Sequence, residues 1–493
     1  MDNPLLGANA PTEDLQPAIQ PNQPNIVDEW FALLRIGVPL ATQNMLVMIS
    51  STIAVIMVGN TSSASNVNLD ASSLASMYSN ISGLSVGTGL TFSLDTLFAN
   101  ANGSMLDGDR ALAALYTQRS LLVLAVAFIP IALANAFTFH FLYFVLGQQY
   151  DISVAAAGFA HRLLPGLPFM FISCIMTKSL QARSIIAPTV VIGIISNTVN
   201  LALCFIFLEV LHLFYYYGAW ARSISSIIAP VLYLCYFWYH NLLDLLWRPW
   251  QGSLVCNPPA LYRFVCLSVH SCLMIVGEWW AFEFTYAMAG WLSPSDVNIA
   301  AHTILFTLNV IKYVGYSGFA SAASIRVGNH LGRGDSIPAK AVAVISITSV
   351  AALSLIFVAV TLCFLKTLTR FYTDKQEIID LVLSCSVPVS ISEVAYATLM
   401  TAGGVLRGCG RQKVGSVWIA IGYAIGLPMA FLLSKSQGLG GIWWGNALAL
   451  IIAALASVFY LVRVSWVGAA REAQLGLMTD TDSSYSGPNT DKR

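Results

Sequence analysis

The chain has 493 residues, of which 57% are hydrophobic and 10% are charged, and its basic and acidic residues cancel to a formal net charge of zero. Ordinary soluble domains carry about 25% charge, so a water-covered surface is excluded for a chain of this length. The absence of net charge also speaks against nucleic acid or another strongly charged macromolecule as partner. The nine cysteines include no C-x-x-C pair, and they read as buried or lipid-facing thiols, without a disulfide framework, metal site or cofactor.

The N-terminal stretch, residues 1–30, is rich in Pro, Asn and Gln and is expected to be a disordered cytosolic tail. It lacks the basic start and apolar run of a secretory signal, so the first span is expected to direct insertion. Asp2-Asn3-Pro4-Leu5-Leu6 reads either as a dileucine-type sorting signal or as incidental tail sequence. Because lipid leaves backbone groups no partner outside their own segment, apolar runs of about 20 residues become spanning helices. Such runs fall near 31–58, 71–97, 115–146, 153–177, 186–209 and 216–243, then near 262–290, 297–325, 338–365, 377–405, 414–434 and 440–463. The expected fold class is therefore all-α: about twelve transmembrane helices in two pseudo-symmetric six-helix lobes. The lobes would be residues 31–243 and 262–465, joined by a cytosolic linker over 244–261 and followed by a cytosolic tail over 466–493. Arg110, Lys178, Arg183, Arg248, Arg326, Arg333, Lys340, Arg407, Arg411 and Lys413 then fall in inner loops, and Arg463 and Arg471 in the tail. The positive-inside rule places both termini in the cytosol, although Lys366, Arg370, Lys375 and Lys435 run against it. Asn60-Thr61-Ser62 is an N-glycosylation pattern in the first outer loop, too near the bilayer to be an easy acceptor.

The halves echo each other. Gly89, Asn100 and Gly103 close the second span with the spacing of Gly318, Asn329 and Gly332 in the eighth. Such duplication is common in secondary transporters, with the site between the halves near mid-membrane. Four prolines, Pro39, Pro165, Pro168 and Pro428, interrupt spans and are candidate hinges.

Several local patterns are more specific. Ala322-Ala323-Ser324-Ile325-Arg326-Val327-Gly328-Asn329-His330-Leu331-Gly332 follows span 8, and Gly403-Gly404-Val405-Leu406-Arg407-Gly408-Cys409-Gly410-Arg411-Gln412-Lys413 joins spans 10 and 11. Glu278-Trp279-Trp280-Ala281-Phe282-Glu283 lies in span 7, Gly426-Leu427-Pro428 in span 11, and Gly441-Ile442-Trp443-Trp444-Gly445 opens span 12. In the first half, Pro39, Asp95-Thr96-Leu97, Leu164-Pro165-Gly166-Leu167-Pro168 and Asn197-Thr198-Val199-Asn200 fit the same pattern. Together these segments resemble the multidrug and toxic compound extrusion (MATE) family, especially its eukaryotic members, over roughly residues 30–465. The resemblance implies a secondary transporter that works as a monomer on small organic substrates in the bilayer.

Charged groups at mid-membrane cost at least ~2.5–3.5 kcal/mol on insertion scales and are functional candidates by default. Glu278 and Glu283 lie five apart, about 140° around the axis, so they line two sides of a cavity rather than one spot. A carboxyl there can hold a proton until a cationic substrate displaces it, which is a coupling mechanism. The resemblance implies that span 7 glutamates bind substrate and proton. It also implies acidic positions where this chain has Thr307 and Tyr396; Glu393, one turn before Tyr396, is the candidate substitute. Lys312 is a possible charge partner for Glu283 or Glu393, or else snorkels to the interface. Asn197 and Asn200 share a face of span 5, as hydrogen-bonding groups for substrate or as interhelical glue. Asp95 reads as a structural loop group with a gate contact as its functional alternative. His270 and His302 read as interfacial, and Trp279, Trp280, Phe282, Tyr313 and Tyr316 as lipid-facing or interfacial, with stacking on flat cations as the functional reading.

The expected function is export of organic, chiefly cationic, small molecules in exchange for protons by alternating access, at the plasma membrane or a vacuolar or lysosomal-type membrane. A sodium-coupled antiporter and a lipid or lipid-linked-glycan flippase of related fold are the alternatives. No Walker A glycine-lysine pattern points to ATP, and no clustered catalytic constellation points to an enzyme.

Overall fold

The computed structural model describes residues 25–59, 66–104, 109–250 and 252–485. The tail before Asn25, including Asp2–Leu6, and the Asn60-Thr61-Ser62 pattern lie outside the described residues. In the first half, α1 is Ile26–Gly59 and α2 is the composite run 66–103 (Asn66–Ser79, Asn80–Leu84, Ser85–Thr91 and Ser93–Gly103). Then follow α3 (109–145), α4 (Tyr150–Ala182), α5 (Ala187–Val210) and α6 (Tyr217–Tyr239). The second half is α7 (Pro258–Gly290), α8 (Ser295–Arg333), α9 (Ser336–Arg370), α10 (Gln376–Ser384 with Ser386–Gly408), α11 (Gln412–Gln437) and α12 (Leu439–Arg463). A further helix, α13 (Trp466–Tyr485), comes last. No strand occurs among the described residues.

Two boundaries depart from expectation. α1 begins at Ile26, inside the stretch read as disordered to residue 30, because Glu29 is held by Arg326 and His330 of α8 (2.6 and 3.1 Å). The region read as a C-terminal tail from 466 is helical to Tyr485 because Trp466, Ala469, Ala470 and Leu477 bury an apolar face against the bundle.

Eleven helices among the described residues are long and apolar enough to cross a membrane. The twelfth, α2, is missed by that criterion because it is rich in Ser and Thr. It is buried by protein instead of lipid: Ser85, Gly87, Gly89, Thr91, Ser93 and Asp95 are all inaccessible. The hydroxyls of Ser82, Ser85 and Thr88 donate to carbonyls one turn back in their own helix, so α2 carries polarity without needing outside partners.

The two halves start at the same end of the bundle, so they are parallel repeats related by an axis along the membrane normal. Small residues make the crossings. A Cβ on Gly89 would lie 2.8 Å from Cα of Cys272 in α7, and one on Gly318 would lie 2.7 Å from Cα of Ala41 in α1. A Cβ on Gly103 would overlap the Asn329 carbonyl, and one on Gly332 the Asn100 carbonyl. The duplicated Gly–Asn–Gly pattern is thus one contact made twice: α2 on α7 and α8 on α1, with α2 crossing α8 at the axis. Each lobe's first helix lies against the other lobe's second, and backbones approach closely only because no side chain intervenes.

Candidate functional site

The lobes meet at the end that carries the described termini. There Asn102 Nδ2 donates to Asn329 Oδ1 (3.3 Å) and both side chains bond the Ala182 carbonyl (3.1 and 3.3 Å). Next to this crossing Asp95, 5% exposed, accepts from Lys178 of its own lobe (2.6 Å) and pairs with Arg407 of the other (3.6 Å). Both cations lie over the Phe92 ring, at 4.0 and 5.0 Å. Thr96 donates to the Arg407 carbonyl, and Gln412 Nε2 donates to Thr96 Oγ1 (2.6 Å). Asp95 is therefore an interlobe contact inside the bundle, and Lys178 and Arg407 lie within helices rather than in the inner loops where they were counted.

At the opposite end the lobes part around a cleft of about 480 Å³. One wall is Asp70, Ser73, Leu74, Met77 and Ile152 of the first lobe; the other is Phe282, Glu283 and Tyr286 of α7 with Phe306 of α8. Polar groups, with a carboxyl from each lobe (Asp70 and Glu283) and Gln148 among them, alternate with apolar and aromatic walls, the composition of a small-molecule site.

The α7 glutamates separate as their angle requires. Glu283 lines the cleft. Glu278, about 7–8 Å deeper along the helix, turns into the second lobe, where it is 5% exposed and accepts from Tyr396 (3.3 Å). Tyr313 packs on Tyr396 with centroids 4.0 Å apart, and Phe282 lies 5.8 Å from Tyr396. Tyr313 and Tyr316 are thus interior residues, not lipid-facing ones, because their helix face is covered by α10. Trp279 and Trp280 are on the exposed face of α7. Arg407 is within electrostatic range of both Asp95 and Glu278, so one guanidinium joins the closed end to the buried carboxyl.

Glu393 is 1% exposed and committed elsewhere: Lys312 donates to it, and Tyr316 donates to its other oxygen (3.0 Å). Lys312 also donates to Thr361 of α9 (3.3 Å). The pair is internally neutral, and each member has a further hydrogen bond, the condition for keeping charges out of water. Glu393 is therefore not brought to the cleft. Thr307 is half-buried on α8. Asn197 donates to its own Gly193 carbonyl (2.8 Å), while Asn200 is buried, and neither lines the cleft. Pro165 sits in a 3-10 turn, Leu164–Gly166, that breaks α4, with Pro168 opening the next helical stretch. Pro39 and Pro428 lie inside uninterrupted helices. His270 contacts Ser416 of α11 (3.0 Å). His302 is 2% exposed, packed between Trp443 and Tyr286 (5.3 and 5.4 Å), not at an interface.

A twelve-helix bundle in two parallel repeats, shut at one end and cleft at the other, defines a multi-pass membrane transporter. The MatE family profile matches residues 39–206 and 271–432, and the chain belongs to that family of multidrug and toxin extrusion transporters. Human multidrug and toxin extrusion protein 1 is 31% identical over 451 residues, covering 91% of this chain and 77% of that protein. Mouse multidrug and toxin extrusion protein 2 is 30% identical over 459 residues, covering 92% and 77%. The crystal structure of the eukaryotic MATE transporter AtDTX14 superposes with a TM-score of 0.84 at 23% identity, covering 91% of this chain and 99% of that one. The Vibrio cholerae MATE transporter VcmN in the bent form gives 0.78 at 16% identity, covering 92% and 99%.

Proposed function

We propose that this transporter exports organic cations in exchange for protons by alternating access, with Glu278 as the group for which proton and substrate compete. The observation that carries the reading is the pair of α7 carboxyls: Glu283 on the wall of the cleft, and Glu278 buried behind it under Tyr396. Neither has a salt-bridge partner among the described residues, whereas Glu393 has its charge cancelled by Lys312. A carboxyl held in this way is neutral with a proton and attracts a cation without one, so the two ligands exclude each other. Phe282 and Tyr286 offer faces for flat or quaternary cations. The positive-inside rule favours a cytosolic closed end, and on that reading this cleft faces outward. Loss of the negative charge on Glu278 alters the pull on Arg407, and through it the hold of Asp95 at the closed end.

The test is efflux of a fluorescent organic cation from proteoliposomes under an imposed pH gradient. Efflux driven by protons in the wild type and lost in E278Q is the expected result. Efflux that survives in E278Q moves coupling to Glu283, and efflux driven only by sodium overturns the proton reading.

A further inference from the structure

A second charged feature lies inside the first lobe and plays no part in the reading above. Arg222 is on α6, about 7–8 Å from its start. Trp220, Ile224 and Ile227 form the exposed face of that helix, while Ala219, Ser223 and Pro230 are buried. Arg222 lies beside that buried stripe, itself half-buried, and lines a cavity between α2, α4 and α6. Among the described residues its guanidinium has no hydrogen-bond or ion-pair partner. The neighbouring Arg162 differs: it donates to the Gly158 carbonyl (2.6 Å) and lies 4.0 Å over the Tyr216 ring.

The cavity measures about 20 Å³, room for one or two water-sized species. No carboxylate lines it. Three of its hydroxyls are already spent as donors: Ser79 to Asn135, Ser223 to the Arg162 carbonyl and Ser226 to the Arg222 carbonyl. Ser76 and Asn80, which line the same cavity as Arg222, have no side-chain hydrogen bond among the described residues. Asn80 opens the π-turn Asn80–Leu84, and such turns shift side chains out of helical register, frequently at functional sites. An arginine within a helical bundle is expensive unless it meets a counter-charge, and the surrounding side chains supply donors but no anion.

We propose that Arg222, with Ser76 and Asn80, forms a binding site for one small monovalent anionic group in the first lobe. A free halide ion and the carboxylate of an amphoteric substrate share this chemistry. The cations of the first lobe and the carboxyls of the second would then give the transporter opposite polarity on its two sides.

The test is equilibrium binding of radiolabelled chloride, and separately of labelled acetate, to the purified full-length protein in sodium gluconate. No ion gradient is imposed, so the result is independent of proton coupling. One saturable site per chain is expected, weakened about tenfold or more in R222Q, since a charged hydrogen bond is lost, and retained in R162Q. Chloride binding supports the free ion; acetate binding without chloride binding supports the substrate carboxylate. S76A/N80A, which leaves the charge in place, weakens binding as well and decides the matter where R222Q does not fold. Absence of saturable binding of either anion, or equal binding in R222Q or in S76A/N80A, overturns the site.

Discussion

Glu278, Glu283 and Glu393 are three acidic side chains in one lobe with three different fates. Burial alone does not separate them, since Glu278 and Glu393 are both nearly inaccessible. The partner does: a neutral phenol for Glu278, an ammonium for Glu393. Removing one member of a buried pair leaves an uncompensated charge, which costs about 3–5 kcal/mol, whereas removing both is close to neutral. K312M is therefore expected to lower the thermal midpoint of the purified protein sharply, and K312M/E393Q to restore most of it. Equal midpoints for the single and double variants would show that the pair is not structural. That Lys312 meets Glu393 rather than Glu283 was left open by spacing alone, because the choice depends on how α8 and α10 rotate against each other.

Among the elements, α13 has the widest reach. Trp466, Ala469 and Ala470 pack in the apolar cluster of the second lobe, while Leu477 joins that of the first. Glu472 pairs with Arg411 (2.7 Å), and Asp480 accepts from Tyr116 (3.0 Å) and pairs with the fully buried Arg119 (3.3 Å). The helix is a strap across the closed end, anchored in both lobes. D480N leaves Arg119 without its carboxylate, and the expected outcome is faster amide hydrogen exchange over residues 466–485 with α12 unchanged. Unchanged exchange in α13 would mean that its apolar face alone holds it. The strap escaped the sequence reading because its helix is too polar overall to be called a span. The long α2 was placed near 71–97 with the other apolar runs, although its polarity keeps it from meeting a stricter hydropathy criterion.

At the scale of the molecule, the closed end is built on the pseudo-two-fold axis, where Asn102 meets Asn329. If export proceeds by alternating access, this crossing must separate once per cycle. A disulfide formed between the cysteines of N102C/N329C is expected to abolish transport under oxidant and to release it on reduction, with wild type unaffected by the same treatment. Transport that continues through the cross-linked protein would exclude opening at this end. Arg407 pairs with Asp95 and also feels the charge of Glu278, so a protonation event near the cleft has an electrostatic route to the same crossing. R407Q is expected to leave substrate binding at the cleft within a few-fold of wild type while uncoupling efflux from the pH gradient, measured as efflux that no longer responds to the gradient.

The chain by itself determined the all-helical, two-lobe architecture and marked α7 as a span with two costly carboxyls. In lipid an apolar run has one way to satisfy its backbone, and a mid-membrane carboxyl is too costly to be accidental. Both signals are local and survive without knowledge of any other segment. The Gly–Asn–Gly echo was visible too, but not that its members meet each other across the axis. Tertiary structure alone decided which charges are cancelled, that Arg407 and Lys178 lie inside the closed end, that Asn197 and Asn200 stand away from the cleft, and that Arg222 faces a cavity without an anion. Each of these depends on the rotation of one helix against another, a quantity that no stretch of sequence encodes by itself.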